Sequence, residues 1–549
     1  MLKFFNKSVR YWNTIRYLKL IQILARVQLF LPNLKISQDN KNKIRLLPEL
    51  WVKPAQRNQS MIDKNTFNFL NEIHKISLDD WNNDEFSKLW LYNLHYFDDL
   101  NAHENQSRNN WHIDLINSWV NANASMKGNG WEPYPLSIRI VNWIKWSLNG
   151  KFMEASWANS LEIQARALSQ NIEKHLLGNH IFANAKALIF AGLFFKGNEA
   201  KKWYEKGQKI IARELDEQVL SDGGNFELSP MYHLIFLEDL LDLINIHQAY
   251  NLELQFDIEK KVFLMFKWLK IMCHPDGEIS FFNDSAIGST PSVKQIEDYA
   301  IRLKLFKSPS DFHHNAYLTN LDNSGYTRVS YKDIVAIIDR SAIGPNYLPA
   351  HAHADTLSFE MSLFGNRVIV NSGTSVYGAS LERQIQRGTQ SHSTVMLNGK
   401  NSSEVWGGFR VARRAKVFDS KDNEQDDKII LSASHNGYCR LKGKPVHNRK
   451  WEFSNQLLVV EDKIEGKLIH DVNVIFHLHP KVEINEVNSD RVVLNIANKK
   501  IQFNFEGNGL LKLEKSLYHP GFGMSNDNYK ILYQLSGNLP LKVITRISW

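Results

Sequence analysis

Tyr232-His233-Leu234-Ile235-Phe236-Leu237-Glu238-Asp239-Leu240-Leu241-Asp242-Leu243-Ile244-Asn245-Ile246-His247-Gln248-Ala249-Tyr250 sets the reading of the first half of the chain. Its apolar residues recur at spacings of three and four, the period of a helix and not of a strand. The same spacing marks Leu136 to Leu148 behind Pro133 and Pro135, Leu161 to Leu176, and Ala183 to Phe195. From about Met61 to Ala300 the pattern stays helical, with few β-branched runs. Helices of this length joined by short turns predict antiparallel pairs, and pairs stacked in a ring make an α/α toroid. Near Tyr326 the texture changes to short alternating segments broken by Gly, Asn and Asp, among them Ile334 to Ile338, Leu357 to Leu363, Arg367 to Val370, Leu457 to Val460 and Val472 to Leu478. Many strands without intervening helices predict an antiparallel sandwich. The expected fold is therefore α + β and multidomain. A basic amphipathic segment covers 1–35, an incomplete (α/α) toroid 36–315 and a C-terminal antiparallel β-sandwich 316–549, with the boundary inside Ser308 to Ser324.

At 549 residues the chain exceeds what one core usually serves, in keeping with two large domains. Its net charge of +8 favours an anionic partner, whether nucleic acid, a membrane surface or an acidic polysaccharide. No compact Lys/Arg run with interleaved aromatics is present, which argues against nucleic acid. Cys273 and Cys439 are too few and too far apart for a disulfide framework. The N-terminus carries apolar residues through Phe30 and Leu31, but Lys19 and Arg26 interrupt them and no small-x-small cleavage site precedes Pro32. Val9 to Leu31 is read instead as a basic amphipathic helix, lying on a membrane surface or packed on its own domain. No stretch is long and charge-free enough to span a bilayer.

Chemistry concentrates in a few places. In Ala350-His351-Ala352-His353-Ala354-Asp355-Thr356-Leu357-Ser358-Phe359-Glu360, an extended chain would turn His351, His353 and Asp355 to one side. Neutral imidazole serves either as a proton carrier or as a metal ligand near pH 7. In Gly178-Asn179-His180-Ile181-Phe182-Ala183-Asn184, Asn179 falls where a helix N-cap is expected, while His180 needs another reason. Asp222-Gly223-Gly224-Asn225-Phe226-Glu227-Leu228-Ser229-Pro230-Met231-Tyr232-His233 is a turn running into a helix, which would hold the Tyr232 phenol rigidly at a cavity rim. A core tyrosine is the alternative. Trp131 and Arg139 flank a helix start, and the planar fork of Arg139 suits a carboxylate, on a substrate or on a neighbouring acid. In the β half, His353, Asn371 and His392 could converge on one metal ion, although Asn is a poor zinc ligand beside Asp. There is no HExxH, P-loop, complete GxGxxG or nucleophile elbow. A hydrolytic carboxylate pair could come from Glu132, Asp222, Glu227, Asp276 or Asp284.

In order along the chain, Gly178-Asn179-His180, Glu227 to His233, His351 to Asp355 with Ser358-Phe359-Glu360, Asn371-Ser372-Gly373-Thr374, and Ser391-His392-Ser393-Thr394 resemble the heparinase II/III-like polysaccharide lyases. The resemblance covers roughly Trp131 to Arg414. It implies an α/α toroid followed by a β-sandwich, and β-elimination of a uronate-containing polysaccharide in the cleft between them. It also implies roles. Asn179 neutralises the uronate carboxylate with His180 assisting, Tyr232 is the acid or both acid and base, and His351 is the base for the opposite C5 epimer or a carboxylate holder. Glu227, His233, Tyr377, Trp131 and Arg139 would contact substrate. His353, Asn371 and His392 would correspond to a structural zinc site, and no organic cofactor is implied. Tyr11 to Leu18 and Trp90 to Phe97 look like the branch of the family associated with bacterial surface-polysaccharide synthesis, which suits a cytoplasmic or inner-membrane-associated protein. The rivals are a glycoside hydrolase on the same toroid and a glycan-binding or assembly protein without turnover.

Overall fold

The computed structural model describes residues 2–30, 36–39, 42–77, 80–123, 127–254, 257–308, 316–425 and 427–549. Two N-terminal helices, α1 (Leu2–Ile15) and α2 (Leu20–Gln28), precede a small antiparallel sheet of Met61–Asp63, Thr66–Phe69 and Glu72–Lys75. This sheet corrects the reading of helix from Met61 onward: Thr66–Phe69 alternates in burial with period two, too short a run to stand out against the helical pattern that follows. The toroid is built from α3 (Lys88–Tyr96), α4 (Asn109–Ala122), α5 (Pro133–Leu148), α6 (Ala155–Gln170), α7 (Gly178–Phe194), α8 (Asn198–Gln218), α9 (Pro230–Ala249), α10 (Ile258–Ile271) and α11 (Val293–Arg302). The helix expected to run to Leu176 stops at Gln170.

Helix α7 lies at the centre of this array, packed by α5, α6, α8 and α9. It is apolar around most of its circumference, as a largely enclosed helix can be, and its inner polar residues Asn184 and Lys186 are buried against partners in the protein. From Ile181 to Phe194 every residue is buried, whereas Asn179 and His180, in its first turn, remain partly exposed. The sequence of α7 thus delivers Asn179 and His180 to one end of the helix, with Lys186 two turns further along the same cleft. Helix α9 starts with Ser229 as its cap, accepting the Tyr232 N–H at 3.1 Å, and with Pro230 in its first turn.

The C-terminal half is a sandwich of two antiparallel sheets. One includes Ile334–Asp339, Phe359–Leu363, Asn366–Val370, Ile469–Leu478 and Asn526–Asn538, and the other includes Lys428–His435, Val446–Ser454, Leu457–Glu465 and Leu541–Ser548. Phe359, Val474 and Phe476 of the first face Leu431, Trp451, Val460 and Phe503 of the second across a buried core. Leu228, Trp268 and Phe282 of the helical half pack on Tyr326 and Ile337 of the sandwich, while Arg328 donates to the Ile271 and Cys273 carbonyls at 2.9 and 2.6 Å. The two halves are thus joined by a dry seam, and the cleft opens beside it. Part of the expected boundary, residues 309–315, lies outside the described residues.

The N-terminal segment is two helices, not the single one read from Val9; Leu31 lies outside the described residues. One face docks on the protein. Tyr11 meets Trp406 edge-on at 5.0 Å, the Trp406 indole N–H donates to Thr14 at 3.2 Å, and Lys19 pairs with Glu217. Trp12, Leu20, Leu24, Val27, Leu29 and Phe30 are left exposed on this segment. No described helix is long and apolar enough to cross a membrane.

Candidate active site

A cleft of about 620 Å³ runs between the halves. The toroid contributes Tyr92, Tyr96, Tyr134, Asn179, His180 and Tyr232, and the sandwich contributes His351, Tyr377 and Phe409. Three of the four residues expected to carry catalysis reach it from helix N-termini, where the chain is locally fixed. Each of the segments leading in carries a non-glycine residue in the left-handed region: Leu177 before α7, Leu228 before the α9 cap, and Asn283 before Asp284 (φ 67, 59 and 56°). Such residues cost about 1–3 kcal/mol each and persist only where neighbours over-determine them. Two of them are pinned to each other: the Leu228 carbonyl accepts from Asn283 Nδ2 at 2.8 Å and from the Tyr326 hydroxyl at 2.7 Å.

Asp284 is the hub of the site, and it stands 67 residues before His351 in the chain. It is fully buried. Its carboxylate faces His351 Nδ1 at 2.9 Å, His353 Nε2 at 2.8 Å and the Arg383 guanidinium through both oxygens. Burial alone would raise its pKa, but Arg383, with His351 and His353, holds it well below the usual carboxylate range. An ionised carboxylate only accepts hydrogen bonds, so both facing imidazole nitrogens carry their protons. His351 is thereby oriented through Nδ1, which leaves Nε2, 3.5 Å from the Glu227 carboxyl, as the nitrogen that can take a proton. The expected three-residue face forms only in part, because residues 351–357 are a loop before the strand and not a strand themselves. Asp355 turns away to accept the Asn283 N–H at 3.1 Å.

Tyr232 stacks on His351 with ring centroids 3.7 Å apart, and its hydroxyl lies 3.1 Å from that of Tyr377. Burial, then Tyr377 and Asp284, push its pKa well above that of a free phenol, so Tyr232 carries its proton at neutral pH. His180 faces Glu173 at 3.1 Å. Burial works against its charge, but the Glu173 carboxylate prevails and the imidazole pKa is raised. Asn179 lies in the first turn of α7 and not at its cap, which is Leu177. Its backbone N–H reaches the Glu227 carboxyl, leaving the side chain at the cleft wall.

A raised His180 pKa means that the imidazolium is present below that pKa and is lost as pH rises through it. If this charge serves turnover, kcat/KM falls on the alkaline side. Glu173→Gln removes the group that raises the pKa, so that limb is expected to move to lower pH. Each unit of downward movement costs about tenfold in kcat/KM on the limb. A pH–rate profile of the two proteins checks this, and an unmoved limb assigns it to another group.

Several expected contacts are not made. Arg139 is fully buried, donating to Gln164, to the His95 carbonyl and to the Gly130 carbonyl at 2.9, 3.2 and 2.7 Å and stacked on Trp119. It holds α5 to the chain before it and cannot grip a substrate carboxylate. Trp131 packs on Trp119, away from the cleft lining. His233 is sealed between the Asn225 N–H, the Met265 carbonyl and the Trp268 ring. Glu227 stands behind His351, 3.5 Å from its Nε2, with its pKa raised by burial.

The residues considered for zinc supply an incomplete set. His353 Nδ1 and His392 Nε2 lie 3.3 Å apart, within reach of one another. The third member, Asn371, spends its amide on the protein: Nδ2 donates to the Phe281 carbonyl at 3.0 Å and Oδ1 accepts the Ser393 N–H at 3.2 Å. Among the described residues no three His, Cys, Asp or Glu side chains gather as a metal site. The donor set, two imidazoles and an amide already bonded to the protein, does not fit a tetrahedral zinc centre.

The comparisons agree with this architecture. The family model "Heparinase II/III N-terminus" matches residues 61–314, and "Heparinase II/III-like, C-terminal" matches 313–549. A heparin-sulfate lyase of Bacteroides stercoris is 26% identical over 338 residues, which are 57% of this chain and 47% of that protein. The chain spans about half the length of the curated relatives it matches. Among solved structures, a heparinase III superposes with TM-score 0.71 at 18% identity, over 86% of this chain and 79% of the other. Another heparinase III gene product gives 0.66 at 19%, over 96% and 88%. The two family models together take in nearly all of the chain from Met61 to its last residue, and the toroid, the sandwich and the cleft between them follow in the same order: the chain belongs to the heparinase II/III-like family.

Proposed function

We propose that the protein is a polysaccharide lyase that cleaves a uronate-containing glycan by β-elimination. The observation that carries this reading is the protonated Tyr232 phenol stacked on an imidazole oriented by Asp284, with His180 in the same cleft. The C5 proton of a uronate becomes removable when its carboxylate is neutralised, since charge then moves onto the carboxylate oxygens. Asn179 and the His180 imidazolium supply that neutralisation. His351 Nε2 takes the proton, and the resulting imidazolium is held between Asp284 and Glu227. The C4–O4 bond breaks, Tyr232 gives its proton to the departing oxygen, and a C4=C5 double bond remains. The His351 imidazolium then gives up its proton and the Tyr232 phenolate regains one, both by exchange with solvent, which returns the two groups to their starting forms.

The hydrolase alternative is less well served. Of the five acids considered for it, Asp284 and Glu227 are committed to His351, Asp222 accepts from Ser324, Asp276 clasps Arg367, and Glu132 is held by Tyr92 and Lys88. Following the absorbance of a 4,5-unsaturated uronate over a panel of uronate polysaccharides tests the reading. His351→Ala is expected to abolish the rise on polymers of one C5 configuration. New reducing ends without absorbance would favour hydrolysis, and binding without either would favour a glycan-assembly role.

We place this activity in bacterial surface-polysaccharide metabolism, in the cytoplasm or at the inner membrane, on the resemblance of Tyr11 to Leu18 and Trp90 to Phe97. Contact with an anionic bilayer is part of that proposal. It is supported by the exposed Trp12, Leu24 and Phe30, by Arg10 and Arg16, and by a sequence without an acid before Asp39. Cosedimentation with phosphatidylglycerol vesicles is expected, weakened in Trp12→Ser/Leu24→Ser/Phe30→Ser; equal binding by that variant would end the proposal.

A further inference from the structure

The cleft is lined by four basic side chains, Arg57, Lys88, Lys145 and Lys186. Each already faces a carboxylate of the protein. Arg57 meets Glu238 at 2.9 Å and Asp98 at 3.6 Å, and Lys186 meets Asp239 and Asp242 at 2.6 and 2.5 Å. Lys145 pairs with Asp242, and at the lip Lys88 pairs with Glu132 at 2.9 Å. Asp98, Glu238 and Asp239 themselves line the cleft. A sulfate or second carboxylate arriving here would have to break one of these pairs or lie against an acid. Like charges brought together across such a cleft repel and select against the partner that brings them. Apart from a further acid, Glu72, and the two site histidines, the remaining wall is neutral. Tyr92, Tyr96 and Tyr134 form a run of rings, with Tyr96 edge-on to Tyr134 at 6.0 Å, and Tyr134 tilted over His180 at 4.7 Å. Such rings pack against sugar faces and offer hydroxyls, and they make no use of a sulfate.

Resting on the lyase reading, we infer that the cleft accepts a glycan in which one uronate at the reaction centre is flanked by neutral, unsulfated sugars. Only the Asn179–His180 end is equipped to receive an anion. Heparin-like sulfation and homopolymeric uronate, which bring an anion to every neighbouring position, are selected against. The overall charge of +8 draws an anionic polymer to the surface, and the ion-paired cleft then sorts what enters.

The experiment compares wild-type protein on matched polymers: unsulfated chondroitin against its 4-O- and 6-O-sulfated forms, N-acetylheparosan against heparin, and alginate as the homopolyuronate. The expected result is a kcat/KM at least about tenfold higher on an unsulfated alternating polymer than on its sulfated partner or on alginate, the range that a single unpaired charge commands. Glu132→Gln, which releases Lys88 at the lip, is expected to narrow that ratio. Unsaturated product formed as fast or faster from a sulfated polymer or from alginate overturns the inference and leaves the lyase reading intact. No unsaturated product from any polymer overturns the lyase reading. Calorimetric binding to the same pairs then decides the inference without turnover: tighter binding of the unsulfated member supports it, and equal, tighter sulfated or absent binding ends it.

Discussion

Tyr232→Phe is expected to lower kcat for elimination by about 10²–10⁴, the range for loss of a positioned proton donor, with little change in KM. The ring stays. It remains stacked on His351 at 3.7 Å and in place at the start of α9, so the cleft keeps its shape and the loss falls on proton transfer to O4. One hydrogen bond disappears, that to Tyr377, at a cost of about 1 kcal/mol or less because Tyr377 also lines the open cleft. The raised Tyr232 pKa bears on the direction of the proposed chemistry. A phenol that resists ionisation keeps its proton at rest, where it can be passed to the more basic leaving alkoxide but is not available as a base, so in the proposed mechanism the C5 proton falls to His351. Steady-state kinetics with absorbance detection, read beside a thermal melt, separate the two effects. A variant that melts normally and still turns over would move the acid to Tyr377, whose hydroxyl is 3.1 Å away.

The periodic parts of this chain were legible because burial repeats along them. Pro133–Leu148 and Pro230–Ala249 carry apolar residues at helical spacing, and the strand Leu457–Glu465, read from Leu457 to Val460, alternates in burial with period two, so one-dimensional patterns sufficed. The site was legible where a residue type had no structural use at its position. His180 in the first turn of a largely enclosed helix is such a case. Arg139 and His233 misled because their chemistry suits a substrate and their neighbours in sequence are site residues. What decides their role is enclosure by Gln164, Trp119, Met265 and Trp268, groups 20 or more residues away in the chain. Asp284 presented the opposite difficulty. It was one of five unremarkable acids, and nothing local distinguishes it. Only the fold brings Arg383, 99 residues later, and both histidines onto its two oxygens.

Asp284→Asn is expected to damage both stability and turnover, and the two can be separated. The substitution leaves the guanidinium of Arg383, which is fully buried, without its counter-charge. Removing one partner of a buried pair costs about 3–5 kcal/mol. It also changes what His351 and His353 face. Aspartate accepts from both imidazoles, whereas asparagine presents one acceptor and one donor, so one ring must flip or change tautomer. A base whose tautomer is wrong loses activity even when its geometry survives, with a known scale of about 10⁴ in kcat. Combining Asp284→Asn with Arg383→Met removes both charges and is expected to recover much of the melting temperature, since replacing an entire buried pair is often close to neutral. Turnover is expected to stay low in that double variant, because His351 is still not held by a carboxylate. Recovery of stability and activity together would make Asp284 a purely structural partner of Arg383. Recovery of stability alone, with a kcat that remains depressed while KM holds, makes it the residue that positions the base.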